Sequence, residues 1–562
     1  MRASPRIVFF AYASAITLMP ALMLLYTYGA DAAYTLLTGD AFLYLGIGLS
    51  STADVFSFDG EAATNGFHPV WQFYVWGLAQ LLGDFPVVFM NVVAWSSVLL
   101  VEVGVLLLGV AIHRATNSWW LGLLATPGLY FALIGQGFGN LAVWDFFTGM
   151  EAGLVFAITG WIAYLAAGLR PDTRQPGTWM WLGLALALLV MTRLDEVFVP
   201  LCIGLFYLVW SPRDILRRIP VVAMLWGPTG IALLLYWSYN LSYMGFLMPI
   251  SGMVKGGFEL LSNGSFTARV FFSPFDDIRH VLTGHETVRE VVRANAFRPV
   301  QLLFPALFAA GFVVLVWRRF RDAPWAVVVV GGCAAIVIKA GYNFMAVNYF
   351  SQASWYFAFA SGFVSFVGAL VLAPVARSVR KSLPEVGVVV VCGFLAFSLL
   401  HAGRDFIEKA DFNGELLTLV KRDFLEEAED IEAALSVWDP DPKVLEFGDG
   451  FLNFALSIPV RHGFVFAGDA ASLDGLQREQ LLQMSYDAGY RIFASFEYLR
   501  WPDATLNMTS DDIRSRLKPS FLDRRVEAEL HFFDLSIVHI YEPLGTVFIG
   551  FTPKKAGVEI SN

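Results

Sequence analysis

One carboxylate, Asp40, follows the first long apolar segment of the chain, within residues 39–44. A carboxylate at the boundary between membrane and water stays ionised but loses part of its hydration. That environment suits a general base that takes a proton from a substrate hydroxyl. The alternative is a solvated cap on the short helix that follows. Asp40 is the candidate catalytic residue.

A second set of ionisable residues lies in the turn between two short apolar segments, residues 179–192 and 196–210. Each segment is shorter than the roughly 20 residues that cross a bilayer, so this turn, with Arg193 and Glu196, is expected below the outer surface. Charged groups at that depth must pair or line a wet cavity, which predicts a polar cavity opening outward. The alternative is an interfacial turn with a local pair between Arg193 and a carboxylate. Lys339, near an outer end of a later segment, is expected to extend its ammonium group to the interface.

The composition is that of a membrane protein. Of the 562 residues, 57% are hydrophobic and 15% are charged, against about 25% charged residues in ordinary soluble domains. The first 402 residues carry 22 Lys and Arg against 20 Asp and Glu, and the remainder carries 16 against 28, a net charge of -12. Such an acidic tail repels nucleic acid and anionic lipid, so nucleic acid is excluded as a partner.

Twelve apolar segments are candidates for crossing the membrane, but the basic loops between them indicate eleven crossings. Short loops rich in Arg and Lys stay cytoplasmic. If all twelve crossed, every basic cluster after the first would lie outside. If residues 69–83, a short segment that begins at a proline, form a juxtamembrane helix on the outer surface, all the clusters lie inside. The twelve segments are residues 7–28, 69–83, 85–112, 119–135, 152–169, 179–192, 196–210, 219–242, 300–317, 325–341, 353–375 and 386–402.

The predicted fold class is therefore a multi-span α-helical membrane protein with a C-terminal α/β soluble domain. The transmembrane domain covers residues 1–402, with its N-terminus inside and outer loops at 29–68 and 243–299. The soluble domain, residues 403–562, lies outside. Helices are predicted around residues 416–435 and from Ser510-Asp511-Asp512 onward. Strands are predicted at residues 443–447, 463–467 and 491–496, followed by a hairpin of residues 533–541 and 546–552.

The polar residues of the first outer loop form a recognisable series. Asp40 is followed by Asp59-Gly60-Glu61 and by an element that runs from Thr64-Asn65 to Trp71. This loop resembles the first outer loop of glycosyltransferases of the GT-C fold that use polyprenyl-phosphate sugars. It is most similar to the bacterial terminal arabinofuranosyltransferase-like branch, which is glycosyltransferase 39-like. Three later elements also match: Gly149-Met150-Glu151, the turn Thr192 to Glu196, and the segment Tyr239 to Lys255.

The resemblance implies the transfer of a sugar from a polyprenyl-phosphate donor to an acceptor hydroxyl of a cell-envelope glycan or glycolipid. Asp40 is then the base, and Lys255 and Arg193 stabilise the departing phosphate. The remaining substrate-binding candidates are Glu151, which orients sugar hydroxyls, His68, which contacts acceptor or phosphate, and Asn65 and Glu196.

Each of these assignments has a plainer alternative. Lys255 is equally an ordinary solvated loop lysine, and Glu151 is equally a carboxylate favoured at a helix N-terminus. Structural packing beside Pro69 accounts for His68 better than catalysis does. The acidic pair of the family is reduced here to Gly39-Asp40, so metal use stays open: no metal ligand is assigned, and a divalent metal is the only cofactor considered.

Two other functions compete with sugar transfer. A transporter or flippase for a lipid-linked or anionic substrate explains a charged turn around Arg193, but not a large outer domain or the loop motifs. A membrane-anchored module in which the tail does the binding is the third. The resemblance favours a multi-pass enzyme of the bacterial cytoplasmic membrane, in contact with membrane lipid.

Overall fold

The computed structural model describes most of the chain, with gaps. The described residues are 4–37, 40–123, 144–169, 176–209, 215–255, 325–346, 358–382, 415–448, 450–465, 467–494, 501, 503–517 and 524–554. The predicted segments 300–317 and 386–402, most of 119–135 and most of the second outer loop lie outside them.

Long apolar helices form the first part of the chain. Within the described residues, three are long and apolar enough to cross a membrane: Pro5–Leu36, which includes a short irregular turn, Pro86–Thr116 and Ile215–Met244. The last two have 31 and 30 residues, or roughly 45 Å at 1.5 Å per residue, which exceeds the hydrocarbon core of a bilayer. The other main helices of this part are Ala152–Ala167, Pro176–Thr192, Phe198–Val209, Trp325–Ala346 and Ala358–Ser382.

Small residues let two of these helices approach closely. A Cβ atom added at Gly160 would lie 2.6 Å from the carbonyl oxygen of Gly104, and one at Gly153 would lie 2.6 Å from that of Ser97. The helix Ala152–Ala167 is thereby pressed against Pro86–Thr116, as is usual for helix pairs in membranes. This contact fixes the helix end at which Glu151 stands.

Two short helices follow the first long one and lie against each other. They are Ala41–Ser50 and Pro69–Leu82. The second has 14 residues, about 21 Å of helix, too short to cross the apolar core. It begins with a proline at its first position, where the missing N–H group costs no hydrogen bond. These properties agree with the predicted juxtamembrane helix, whose orientation stays a prediction.

A five-stranded mixed sheet organises the C-terminal part. Its strands are β1 (Val444–Glu446), β2 (Val460–His462), β3 (Ile492–Ala494), β4 (Phe533–Tyr541) and β5 (Thr546–Pro553), in the order β2-β1-β3-β5-β4. The strands β2, β1 and β3 are parallel, while β5 is antiparallel to both β3 and β4. The predicted hairpin is confirmed as β4 and β5.

One strand prediction is wrong. Residues 463–467 were expected to be extended, but the strand β2 ends at His462 and the chain then turns. Val465 lies in this turn at φ 62, an unusual value for a β-branched residue. The apolar side chains of the turn fill the core without joining the sheet, so their hydrophobicity imitates a strand.

Short helices surround the sheet. The acidic stretch predicted around residues 416–435 forms two helices, Glu415–Glu426 and Ala428–Trp438. The predicted helix start at Ser510 is confirmed, with Thr509 as its cap in a reciprocal capping box with Asp512. The remaining helices are Phe451–Ala455, Ala470–Gln477, Leu481–Asp487, Ser510–Arg516 and Arg524–Glu529.

Candidate active site

A buried ion pair joins two of the predicted site residues. The Nη1 atom of Arg193 donates a hydrogen bond to Oε1 of Glu151 at 2.7 Å, although the two residues are 42 positions apart. The side chains of both residues are almost completely buried, at 2% and 1% exposure. Glu151 directly precedes the helix Ala152–Ala167, and Arg193 directly follows Pro176–Thr192. The charged turn is therefore paired within the protein, as its predicted depth requires.

The same turn forms a second group of ion pairs. Asp195 accepts hydrogen bonds from Arg193 Nε at 3.0 Å and from Nη2 at 3.3 Å. Lys339 Nζ lies 2.9 Å from Asp195 Oδ2 and 2.6 Å from Glu196 Oε1. The expectation that Lys339 extends to the interface is wrong, because its side chain is buried and both of these carboxylates attract it inward.

Tyr44 links this network to the helix that directly follows the candidate base, Asp40. Its hydroxyl donates a hydrogen bond to Glu151 Oε2 at 2.9 Å. Burial raises the pKa of Tyr44 well above its ordinary value of 10.0, and the charge of Glu151, its hydrogen bond and the charge of Asp40 raise it further. Tyr44 therefore remains a neutral hydrogen-bond donor. Asp40, half-buried, precedes the helix Ala41–Ser50 and lies one turn before Tyr44.

The network has an accessible side. His68 Nε2 lies 3.7 Å from Glu151 Oε1, and the His68 side chain is 25% exposed. Asp195 is 21% exposed. His68 and Asp195 are thus the partly exposed members of this region, while Glu151, Arg193 and Glu196 are buried.

Several of these residues stand at the beginning of a helix. Asp40, His68 and Glu151 each occupy the position before the first helical residue, and none of their side chains caps its own helix. The N-terminal ends of helices carry partial positive charge and unpaired N–H groups, which favour anions. These three positions are therefore ones at which an anion is favoured.

Asn65 is placed differently from the other candidates. It is fully buried, and its amide group donates to the carbonyl of Met248 at 3.1 Å and accepts from the N–H of Ile250 at 2.9 Å. These bonds hold the start of the short helix Ile250–Lys255 against the first outer loop. Lys255 is the last residue of that helix, and its side chain lies outside the described residues.

The structure thus brings five predicted residues into one neighbourhood and adds three. Arg193, Glu151 and Glu196 share the buried network, His68 borders it, and Asp40 lies beside it through Tyr44.

The residues that were not predicted as part of the site are Tyr44, Asp195 and Lys339. Asp195 and Lys339 are ionisable residues at membrane depth, which is the signal that identifies them. For Tyr44, the only signal in the sequence is its position four residues after Asp40.

The donor set gives little support for a resident metal. No group of three or more His, Cys, Asp or Glu side chains is arranged to hold a metal ion anywhere in the described part of the chain. The carboxylates of the network already pair with Arg193 and Lys339.

Three solved structures have the same fold as this chain. The archaeal oligosaccharyltransferase AglB of Archaeoglobus fulgidus, solved with an inhibitory peptide and a dolichol-phosphate, is 11% identical, with a TM-score of 0.50 over 99% of this chain and 75% of that one. The apo form of the A. fulgidus oligosaccharyltransferase gives 0.51 at 12% identity, with the same coverage. ArnT of Cupriavidus metallidurans, in its apo state, gives 0.50 at 14% identity over 97% of both chains.

The chain has the GT-C fold. At these identities the comparison establishes the architecture of a GT-C membrane protein, in agreement with the resemblance of the first outer loop. No protein-family model matches the sequence, and the search of curated proteins finds no relative. The arabinofuranosyltransferase-like branch stays a prediction.

Proposed function

We propose that the protein is an integral membrane glycosyltransferase that moves a sugar from a polyprenyl-phosphate donor to an acceptor hydroxyl of a cell-envelope glycan or glycolipid. The observation that carries the proposal is the buried network of Glu151, Arg193, Asp195, Glu196 and Lys339 beside Asp40, in a chain with the GT-C fold. A buried charged network needs a reason for its desolvation cost. Binding and transferring an anionic, lipid-linked group supplies one.

Asp40 is proposed as the general base. Its carboxylate takes the proton of the acceptor hydroxyl while that oxygen attacks the anomeric carbon of the donor sugar. The bond between this carbon and the phosphate oxygen breaks, and the polyprenyl phosphate leaves with the bonding electrons. Tyr44, held neutral one turn away, fixes Glu151 beside the reacting groups.

Positive charge near the leaving phosphate comes from several sources. Lys255 is proposed to contact the phosphate directly. Arg193 already uses its guanidinium group on Glu151 and Asp195, so it stabilises the phosphate as a fixed charge from behind the accessible surface. His68 is proposed to contact acceptor or phosphate, Glu151 to orient sugar hydroxyls, and Glu196 to hold Lys339. Asn65 acts through the position of Ile250–Lys255.

The lipid donor is supported by the apolar helices and by one of the solved structures. Several apolar side chains of Ile215–Met244, such as Ile231, Leu234 and Leu235, are exposed, so this helix offers a lipid chain an apolar surface. The AglB structure contains a dolichol-phosphate. The bacterial cytoplasmic membrane, eleven crossings and an outer C-terminal domain belong to the same proposal.

Purified full-length protein incubated with polyprenyl-phosphate hexoses and pentoses and with extracted envelope glycolipids tests the function. The wild type is expected to transfer one of these sugars, and Asp40→Asn to lower kcat by ~10²–10⁴-fold. Asp54→Asn, an exposed carboxylate of the same loop, is the matched control and retains activity. Full activity of Asp40→Asn removes this base. Movement of labelled lipid-linked sugar across proteoliposomes without transfer favours the transporter or flippase instead.

A further inference from the structure

The Asp59-Gly60-Glu61 turn of the first outer loop contacts the C-terminal sheet. Arg461, on β2, lies at the centre of the contact, with its Nε atom 3.2 Å from Asp59 Oδ2 and its Nη2 atom 3.5 Å from Asp469 Oδ2. Its guanidinium group stacks over the Tyr490 ring, 4.2 Å from the centroid. Tyr490 donates to Asp59 Oδ2 at 3.0 Å, so Asp59 has two partners in the sheet domain. These residues form what we call the loop latch.

The latch is a desolvated ion pair. The side chains of Asp59 and Arg461 are 5% and 11% exposed. Burial alone raises the pKa of Asp59, but Arg461 and the N–H groups of Ala62 and Glu61 outweigh it, and the pKa lies below its ordinary value of 3.8. Asp59 is therefore ionised at neutral pH. Because its pair with Arg461 is buried, its geometry is more specific than that of an exposed ion pair, whose side chains rotate freely.

Two further hydrogen bonds extend the contact along the loop. Thr64 Oγ1 donates to the carbonyl of Gly468 at 2.8 Å, and Asn453 Nδ2 donates to the carbonyl of Phe58 at 2.7 Å. The loop is therefore bound to the sheet domain at both sides of Asp59. His68, which borders the candidate site, lies four residues after Thr64.

The sheet domain also packs on the helix that follows Asp40. A Cβ atom at Gly450 would lie 2.7 Å from the backbone nitrogen of Leu43, so only glycine permits this approach. The Phe42 ring meets that of Phe451 edge to face, with centroids 5.1 Å apart. The helix Ala41–Ser50 is thus held by Pro69–Leu82 and by the C-terminal domain.

We propose that the C-terminal domain positions the first outer loop for sugar transfer, and that Arg461 is a positioning residue of the reaction. It acts through Asp59 on the loop between Asp40 and His68 without touching substrate. Only the expected effect on the rate of transfer rests on the proposed function. How firmly the first outer loop is held in one conformation can be measured without any assay for transfer.

The test compares full-length Asp59→Asn, Tyr490→Phe, Arg461→Lys and Arg461→Ala with wild type by hydrogen exchange and by kinetics. Asp59→Asn leaves the interior of the sheet domain untouched, and Tyr490→Phe removes one hydroxyl, so both are expected to fold. Arg478→Ala is the matched control, because Arg478 forms an exposed pair with Asp474 inside the same domain.

Exchange in residues 52–67 is expected to rise about ten-fold or more in Asp59→Asn, with exchange in β1, β3 and β5 unchanged. The kcat of transfer falls by a similar factor, whereas KM for a short soluble acceptor changes less. Arg461→Lys, which keeps the charge, retains more activity than Arg461→Ala. Arg478→Ala matches wild type in both measurements.

Two results would overturn the proposal. Unchanged exchange of residues 52–67 in Asp59→Asn means that the latch does not order the loop. A loosened loop with an unchanged kcat means that the order of the loop is irrelevant to transfer. If the wild type transfers no sugar, the proposed function fails, while the exchange measurement still decides whether the latch orders the loop.

Discussion

Tyr44 and Glu151 are 107 residues apart in the sequence, and the Tyr44 hydroxyl donates a hydrogen bond to Glu151 Oε2 at 2.9 Å. Glu151 accepts a second bond, from Arg193, on its other oxygen. One carboxylate therefore connects the helix behind Asp40 to the charged turn.

Tyr44→Phe removes this connection with little change in volume. The kcat of sugar transfer is expected to fall by about ten-fold or more, because a hydrogen bond to a charged group contributes ~1.5–3 kcal/mol. Steady-state kinetics of the purified variant measure it. Tyr26→Phe is the control, since Tyr26 is 94% exposed. Equal kcat values for Tyr44→Phe and wild type contradict a role for the bond.

Lys339→Met leaves Asp195 and Glu196 without the ammonium group that both contact. Unfolding in detergent is expected to become easier by ~3–5 kcal/mol, because one charge of a buried pair remains uncompensated. The combination of Lys339→Met with Glu196→Gln removes one of the two carboxylate charges and recovers part of the loss. Thermal unfolding midpoints of the two variants measure this recovery, and equal midpoints would show that the uncompensated charge of Glu196 is not the cause of the loss.

Asn65→Ala breaks the two bonds that hold Met248 and Ile250. The helix that ends at Lys255 then loses its fixed start, and KM for the lipid donor is expected to rise several-fold, with a loss of stability of ~1–3 kcal/mol. Asn91→Ala is the control, because the amide of Asn91 also donates to two carbonyls but lies on the long helix Pro86–Thr116. If both variants raise KM equally, the effect of Asn65 is one of general stability.

The loop latch gives a prediction about pH. The pKa of Asp59 in the folded state lies below 3.8, the ordinary value of an aspartate. The ionised Asp59 therefore stabilises the folded state fully at pH values above 3.8. This stabilisation is lost as the pH falls through the lower folded-state pKa. Pepsin cleavage within residues 52–67, compared between wild type and Asp59→Asn, is expected to differ near pH 4 and to converge in stronger acid. A difference that persists at all acidic pH values excludes ionised Asp59 as its cause.

Local patterns predicted several elements correctly. The hairpin of β4 and β5 follows from two strand-like stretches on either side of Pro543-Leu544-Gly545, where Gly545 takes φ 57°. The run Ser510-Asp511-Asp512 predicted a helix start, and the helix begins at Ser510. These features depend on neighbours within a few residues, and sequence reasoning has access to those neighbours.

The partners within the candidate site could not be predicted in the same way. Thr192 to Glu196 indicated buried charge, but nothing in the turn specifies Glu151 or Lys339 as its partners. Lys339 was expected at the interface because a lysine near a helix end commonly extends there. Its actual position depends on two carboxylates brought close by another pair of helices.

The role of Asp59-Gly60-Glu61 was equally hidden. The resemblance placed this turn among the motifs of the first outer loop, whereas the structure shows it bound to the sheet domain. Asp59 and Arg461 are separated by 402 residues, and neither carries a local signal for the other. The order of the motifs along the chain placed this turn in the first outer loop, but it did not indicate that the turn contacts the sheet domain.

The separation of 402 residues between Asp59 and Arg461 also affects when this contact can form. The ribosome makes the chain from its N-terminus, so Asp40 and its loop reach the membrane long before β2 and β3 are synthesised. Until those strands fold, the helix Ala41–Ser50 lacks Phe451 and Gly450 against one side, and Asp59 lacks Arg461. The region around Asp40 is therefore among the first parts to be made and among the last to be completed, which delays assembly of the site until synthesis of the sheet is finished.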